Sequence, residues 1–420
     1  MIIINIGNEL LYGKTINTNA SFLSEKLYHA GYEVNKILII PDEREAIIST
    51  LSAAFEETDI VLMTGGLGPT NDDITKAVIA TFFDTYLVLH DQILQQITEM
   101  LAARGIEVNE LNRQQAEIPF GAQAIPNPNG TAPGIWIEKQ GRLLVAMPGV
   151  PFEMKAMFEN HVLPQLKEKK PSSSIILHHE ILTSGIAESA LAEKIADWEK
   201  ALPAPLTLAY LPSPGKIQLR LTAKGNQNRQ EFLETSLKTE SDKLKNVIAP
   251  YIVSTQNETV EEVVARLLKK TGKKLAVAES CTGGYISHLI TSLPGSSSYF
   301  QGSVVAYSND VKREILNVRE GNLRKEGAVS EFVVNDMAIN TMGLFDVDYT
   351  IATSGIAGPL GGTPAKPVGT VWIAVATPTR IKAQKFSFGS AGGREVIIKR
   401  AAYAALNMLR IELLKEMNIE

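Results

Sequence analysis

Leu275-Ala-Val-Ala-Glu-Ser-Cys-Thr-Gly-Gly284 is an apolar run that stops at a serine and passes through two glycines into a segment with helical spacing. Ile286, Leu289, Ile290 and Leu293 recur there at i, i+3, i+4 and i+7, the buried face of an amphipathic helix. The stretch therefore reads as a buried strand feeding a helix, the repeating unit of an α/β fold. Ser280 falls at the junction, where the free N–H groups of a helix start favour a developing negative charge. Two readings fit it, a helix N-cap and a nucleophile. Cys281 is a rival nucleophile, since thiolates gain reactivity near helix N-termini. Adjacent side chains point differently, so only one of the two can line a pocket.

Two further segments repeat this arrangement. Ser303-Val-Val-Ala-Tyr307 ends a strand before Ser308-Asn-Asp-Val-Lys-Arg313, and Tyr349-Thr-Ile-Ala-Thr-Ser354 ends another before the glycine-rich Gly355-Ile-Ala-Gly-Pro-Leu-Gly-Gly362. If the strands share a sheet, their polar ends meet on one rim. Cleaving an amide there needs a nucleophile, a proton acceptor and donors for an oxyanion. His288 is the one histidine of this region and sits on the helix after Ser280, so no Ser-His-Asp set is complete. The acceptor is then Lys312 or Tyr307, and Lys312 needs burial or a neighbouring cation to lower its pKa. Upstream, Thr259-Val-Glu-Glu262 has the form of a capping box that opens a helix carrying Val263, Val264, Leu267 and Leu268 on one face.

Toward the amino terminus, Ile2–Ile6, Val34–Ile40 and Ile60–Met63 are strand-like and alternate with helical patterns that include Leu23 with Leu27 and Ile47, Ile48, Leu51 and Phe55. This is a doubly wound α/β pattern. Three loops are candidates for ligand binding: Gly7-Asn-Glu-Leu-Leu-Tyr-Gly13, Thr64-Gly-Gly-Leu-Gly-Pro-Thr-Asn-Asp-Asp73 and Asn127-Pro-Asn-Gly-Thr-Ala-Pro-Gly134. Gly65, Gly66 and Gly68 let the backbone approach a phosphate, while Asp72 and Asp73 offer hard oxygens to a divalent cation. An acidic helix start after a glycine turn is the plainer reading of the same residues. Between the two α/β regions, Lys167-Glu-Lys-Lys-Pro-Ser-Ser-Ser174 reads as a linker. Strands at Ile175–Thr183, Leu206–Leu211 and Ile217–Ala223 with helices at Ala187–Trp198 and Arg229–Val247 form a small β-α-β-β-α module, and Tyr251–Gln256 leads onward.

The 420 residues suffice for about three domains, with expected boundaries at residues 1–170, 171–253 and 254–420. The fold class is α/β: a doubly wound first domain, a small α+β middle domain and an α/β last domain. No apolar run approaches the ~20 residues that span a bilayer, so no membrane role is expected. Met1-Ile-Ile-Ile-Asn-Ile-Gly7 reads as a first strand instead of an export signal, and a single cysteine fits a reducing cytoplasm, which is the expected location. A formal charge of −5 argues against general nucleic-acid binding.

The glycine-rich and strand-end motifs quoted above, with Pro148-Gly-Val-Pro-Phe-Glu-Met154, Gly327-Ala-Val-Ser330 and Lys366-Pro-Val-Gly-Thr370, resemble the CinA family over nearly the whole chain. For the last domain the resemblance implies a nicotinamide mononucleotide (NMN) deamidase that needs no cofactor. Ser280 would attack the carboxamide, Lys312 or Tyr307 would relay the proton, and N–H groups at Thr282 and Gly283, next to Gly284, would receive the oxyanion. Asn309, Ser354, Gly355, Gly358, Gly361, Gly362 and Arg394 would hold the rest of the nucleotide. For the first domain, similar to the molybdopterin-binding fold, it implies an ADP-ribose pyrophosphatase using Mg, Mn or Co. Glu9, Asp72 and Asp73 are then on the metal side, and Gly65, Gly66, Gly68 and Thr70 contact substrate. The sequence departs from the family at Asn8 and Asn17, where aspartate is usual; an amide brings an oxygen but no charge. The middle domain resembles a KH module without a Gly-x-x-Gly clamp and is expected to act as a spacer. The resemblance is compatible with a homodimer. A reading from another class is a competence or DNA-damage partner protein whose first domain binds a molybdopterin-like ligand without catalysis.

Overall fold

A computed structural model describes residues 1–70 and 72–417. The chain divides into two compact units, one of Met1–Leu177 with Lys224–Glu231 and one of His178–Ala223 with Phe232–Glu420.

The first unit is built on a six-stranded sheet. Its strand order is Lys36–Ile40, Ile2–Ile6, Ile60–Thr64, Arg142–Met147, Gly134–Lys139 and Gln123–Ile125. The first four strands are parallel and the last two antiparallel to their neighbours. Alternation of side chains explains the continuous isoleucines of the first strand. Ile2, Ile4 and Ile6 pack with Ile47, Leu51 and Phe55 on one face, and Ile3 with Leu23 and Leu27 on the other. The helices expected from spacing are Thr18–His29 and Arg44–Glu57. Because the strands are parallel, their carboxyl ends share one edge. There the loops that begin at Gly7, Gly65 and Pro148 lie side by side, tied by Gly7 N–H donating to Ile40 C=O at 3.1 Å and Gly65 N–H to Met147 C=O at 3.0 Å.

In the second unit, a small sheet runs in the order Leu206–Ser213, Lys216–Asn226, Ser174–Ser184 and Ile252–Ser254. Helices Glu188–Lys200 and Gln230–Ile248 bury Leu191, Ile195, Leu244 and Ile248 against Ile181, Ile217 and Leu219. Two segments differ from the sequence reading. Lys167–Lys169 end a helix, Leu163–Lys169, so the connecting stretch is shorter than expected. Ile252–Ser254 closes the small sheet by pairing with Leu182 and Thr183 instead of serving only as a lead-in, because alternate residues of Ile252-Val-Ser254 find both a ladder and a core.

The last sheet runs Phe300–Val305, Leu275–Glu279, Tyr349–Gly355, Thr370–Ala376 and Ile381–Ser387, with the first three parallel and the rest antiparallel. On one face Val277, Ile351 and Ile373 meet Val263, Val264, Leu267, Ile286 and Ile290. On the other, Ala278, Ala352 and Ala374 stand in one cross-strand row, and such small side chains let helix Glu331–Phe345 approach with Val334, Met337 and Ala338. Register pairs Glu279 with Val305 and with Thr353, so the expected rim exists.

The capping box is present. Thr259 Oγ1 accepts from Glu262 N–H at 3.4 Å and a Glu262 carboxylate oxygen accepts from Thr259 N–H at 2.7 Å. Thr259→Ala should destabilise the second unit by about 1 kcal/mol while Thr259→Ser leaves it near wild type, read as the shift in the urea midpoint of that unit. Equal midpoints for both variants would show that the cap contributes nothing.

Candidate active site

Ser280 follows the strand Leu275–Glu279 and stays pinned to the neighbouring strand, its N–H donating to Thr353 C=O at 3.0 Å. Helix Asn309–Glu314, capped by Ser308, then delivers Lys312. The Lys312 Nζ lies 2.9 Å from Ser280 Oγ, 2.7 Å from Ala306 C=O and 3.3 Å from Tyr307 C=O. The lysine is 1% exposed, and none of these contacts is a carboxylate. Burial pulls its pKa down from 10.5 to about 8. A neutral amine has two hydrogens and one lone pair. The ammonium's three hydrogens match Ser280 Oγ and the two carbonyls, and once it loses one, the lone pair faces the Ser280 hydroxyl, the geometry a base would need.

The other sequence candidates separate around this pair. The Tyr307 ring is 59% exposed and its hydroxyl meets the Arg394 guanidinium. Only its backbone carbonyl reaches Lys312, and of the two candidate acceptors Lys312 is the one in contact with Ser280 Oγ. Cys281 turns into the apolar core against Gly355, and burial pushes its thiol up to about 12, the opposite of an activated thiolate.

Ser280 is not the helix cap. The helix is Tyr285–Thr291, its N-cap position is Gly284, and a turn of Ser280–Gly284 intervenes. The capping oxygens come from Glu279, which the sequence reading did not single out. Its fully buried carboxylate accepts from the N–H groups of Gly284 at 3.0 Å, Ile286 at 3.1 Å and Ser287 at 2.9 Å, and from Ser287 Oγ at 2.6 Å. The N–H of Gly283 donates to Ser280 C=O at 3.1 Å. Of the two donors named from sequence, Thr282 and Gly283, the Gly283 N–H is therefore occupied, as is that of the adjacent Gly284. The Thr282 N–H has no protein acceptor among the described residues, and the Cys281 N–H meets only its own thiol. The Thr282 hydroxyl is tied to Thr353 Oγ1 at 2.7 Å, fixing the turn.

Around the rim, Arg394 Nη1 donates to Gly358 C=O at 2.9 Å, and the exposed guanidinium pairs with no carboxylate among the described residues. Gly355 continues its strand, Gly358 is buried beneath the loop, and Gly361 and Gly362 are exposed at its tip. Asn309 is exposed at its helix start. Ser354 is a tether instead of a free ligand contact: its hydroxyl donates to Ala328 C=O at 2.6 Å.

The first unit holds a second candidate, a cleft of about 480 Å³ lined by Gly65, Gly66, Gly68, Glu9, Asp72 and Asp73, as the sequence suggested, and also by Asp42, Gln115 and Glu153. Gly65 and Gly66 have left-handed backbone (φ 107° and 66°), and side chains there would strike the Ile6 carbonyl and the Thr75 hydroxyl. Thr70 is exposed, and its N–H and hydroxyl donate to the Asp73 carboxylate at 2.9 and 2.5 Å. Burial, opposed by the Asn8 N–H and reinforced by Glu9, Asp72 and Asp73, raises the Asp42 pKa. Among the described residues no three acidic, histidine or cysteine side chains converge as a metal site. Glu9, Asp72 and Asp73 thus line one cleft without forming the coordination set expected of them. Asn17 accepts from Ala20 N–H at 3.0 Å as a helix N-cap, a role an amide fills as well as aspartate. Asp42 was legible as a strand-end acid; nothing in the sequence distinguished Gln115.

The family descriptions "Probable molybdopterin binding domain", "Damage-inducible protein CinA KH domain" and "CinA C-terminal domain" match residues 2–168, 178–254 and 257–413. A CinA-like protein of Cytophaga hutchinsonii is 43% identical over 411 residues, covering 98% of this chain and 97% of its own length. Another, of Flavobacterium psychrophilum, is 40% identical over 415 residues with 98% of each covered. A solved structure of a competence/damage inducible protein from Agrobacterium tumefaciens is 35% identical, covers 37% of this chain and 94% of that one, and has a TM-score of 0.35. No helix among the described residues is long and apolar enough to cross a membrane.

The burial of Cys281 makes it resistant to alkylation. Iodoacetamide at pH 8 should leave the folded protein unmodified over a time that fully labels it in urea, read by mass spectrometry. Rapid labelling of folded protein would restore the thiol as a nucleophile.

Proposed function

The chain belongs to the CinA family, and from that premise we propose that its last domain is an amidohydrolase that converts NMN to nicotinate mononucleotide and ammonia. The observation that carries this reading is the contact of 2.9 Å between the buried Lys312 amine and Ser280 Oγ. In the proposed reaction Ser280 Oγ attacks the carboxamide carbon as its proton passes to Lys312. The N–H groups of Thr282 and Cys281 stabilise the tetrahedral oxyanion. Collapse breaks the C–N bond, and Lys312 returns the proton to the departing ammonia. Water, deprotonated by the same amine, then cleaves the serine ester and releases the acid. The exposed Arg394 guanidinium at the rim, held by the Gly358 carbonyl and the Tyr307 hydroxyl and facing no carboxylate among the described residues, would contact the phosphate.

A second reading is supported by the glycine-lined cleft: the first unit takes ADP-ribose. The carboxylates there do not converge on a cation, so no hydrolytic step is assigned to them. The expected result is binding of ADP-ribose by the full chain, read by calorimetry with Mg²⁺, Mn²⁺ or Co²⁺ present; no binding with any of the three would overturn this reading, and AMP formed with one of them would extend it to hydrolysis.

For the deamidase, Ser280→Ala and Lys312→Ala should each lower kcat for ammonia release by at least about a thousandfold, with Lys312→Ala still binding NMN. Arg394→Ala should mainly raise KM. Because Lys312 must be neutral to act as a base, kcat/KM should climb with pH and level off above about 8. Unchanged turnover in Ser280→Ala would overturn the serine mechanism, and a flat profile between pH 6 and 9 would overturn the role of the lysine.

A further inference from the structure

We propose that Gln115 is a ligand-contacting, specificity-determining residue of the first unit's cleft, donating through Nε2 to an oxygen on the phosphate side of a bound nucleoside diphosphate. Gln115 is 1% exposed, lines the cleft with Gly65, Gly66 and Gly68, and its Nε2 has no hydrogen-bond partner among the described residues. A buried amide donor left unpaired costs the folded protein about 1–3 kcal/mol, and such groups are rare in settled structures. A group that costs stability where it stands is expected to recover it on binding, and a ligand in the cleft Gln115 lines would bring an acceptor.

The orientation of the amide follows from its neighbours. Helix Glu110–Gln115 begins with a capping box in which Asn109 N–H donates to Asn112 Oδ1 at 3.2 Å and Asn112 N–H donates to Asn109 Oδ1 at 2.9 Å. With its oxygen held there, Asn112 offers Nδ2 to Gln115 Oε1, a long contact at 3.5 Å. The oxygen end of Gln115 is thereby assigned, and the nitrogen end is the free one. The next turn is also anchored, since the buried Lys76 ammonium donates to Gln114 C=O at 2.8 Å. The amide therefore stands on a fixed backbone, prearranged for an acceptor.

The chemistry of the cleft says what that acceptor is. Glu9, Asp42, Asp72, Asp73 and Glu153 line the cleft as acceptors when ionised. Another carboxylate-like group would find little there to donate to it except glycine-loop N–H groups and Gln115. A neutral donor placed among anions suits a phosphate oxygen that arrives with its charge partly covered by a cation, and it would also reject ligands lacking an oxygen at that point. The inference rests on the reading of this cleft as a site for ADP-ribose, and its test separates the two.

The full chain and its Gln115→Glu and Gln115→Met variants are titrated calorimetrically with ADP-ribose and with AMP in Mg²⁺, and their melting is recorded without ligand. Gln115→Glu keeps the shape and the oxygen toward Asn112 but removes the donor; it should bind both nucleotides at least tenfold more weakly. Gln115→Met removes the unpaired amide; its melting midpoint without ligand should equal or exceed wild type while its affinity falls similarly. Wild-type affinity in Gln115→Glu would overturn the proposal whatever Gln115→Met does, and a lower midpoint for Gln115→Met with unchanged affinity would make the amide a framework group. Wild-type protein that binds neither nucleotide would overturn the reading of the cleft, and the assigned role of Gln115 with it.

Discussion

The burial of one amine organises the second unit. Lys312 is held against Ser280 Oγ and two backbone carbonyls with no carboxylate to balance a charge. Its folded pKa, about 8, lies below the 10.5 of an ordinary lysine, so the unfolded chain binds the extra proton. The sign follows from linkage: this group opposes folding fully below about pH 8, and the opposition is relieved as pH rises from there through 10.5. At neutral pH the fold therefore carries a cost that other parts must offset. Apolar cores on both faces of the five-stranded sheet do so. The alanine row at Ala278, Ala352 and Ala374 matters to this, because it lets helix Glu331–Phe345 seat closely on the sheet whose edge holds Ser280.

A second constraint acts one residue earlier. A carboxylate without partners would be as costly as the amine, but Glu279 is saturated by three backbone N–H groups and a hydroxyl. That saturation sorts the donors near Ser280. The helix dipole and its leading N–H groups are spent on Glu279, and the turn's own bond uses Gly283. What remains for a ligand is the Thr282 N–H and the Cys281 N–H, which meets only its own thiol. In the proposed reaction the oxyanion donors are therefore N–H groups of the turn itself, and the helix start serves to hold the turn.

This is also where the sequence stopped being legible. Ile2–Ile6 and Leu275–Glu279 were readable because continuous apolar residues fit strands covered on both faces, and Val263, Val264 and Leu267 because helical periodicity needs only local spacing. Ser280 and Lys312 were readable as residue types at strand and helix starts. Their pairing depended on register between Leu275–Glu279 and Phe300–Val305, which a single sequence does not encode locally. Serine's preference for N-caps suggested the wrong cap, since a competing acceptor, Glu279, lies one residue away and its reach cannot be seen in propensity. Gln115 and the Asp42 environment were invisible for the same reason: both are defined by what surrounds them in space.

The two candidate sites differ in how complete they are before a ligand arrives. At Ser280 the hydroxyl, the Lys312 amine and the Glu279 carboxylate already have partners within the protein. The cleft of the first unit is the reverse, with Asp42 raised by burial and, less, by neighbouring carboxylates, and Gln115 Nε2 without a partner among the described residues. Mutual repulsion among those acids and an unpaired amide both raise the energy of the empty cleft. A ligand that brings positive charge and an acceptor oxygen together relieves both at once, whereas either alone relieves one. Binding in that cleft is therefore expected to be cooperative between cation and nucleotide, a coupling that follows from its charges without any change of fold.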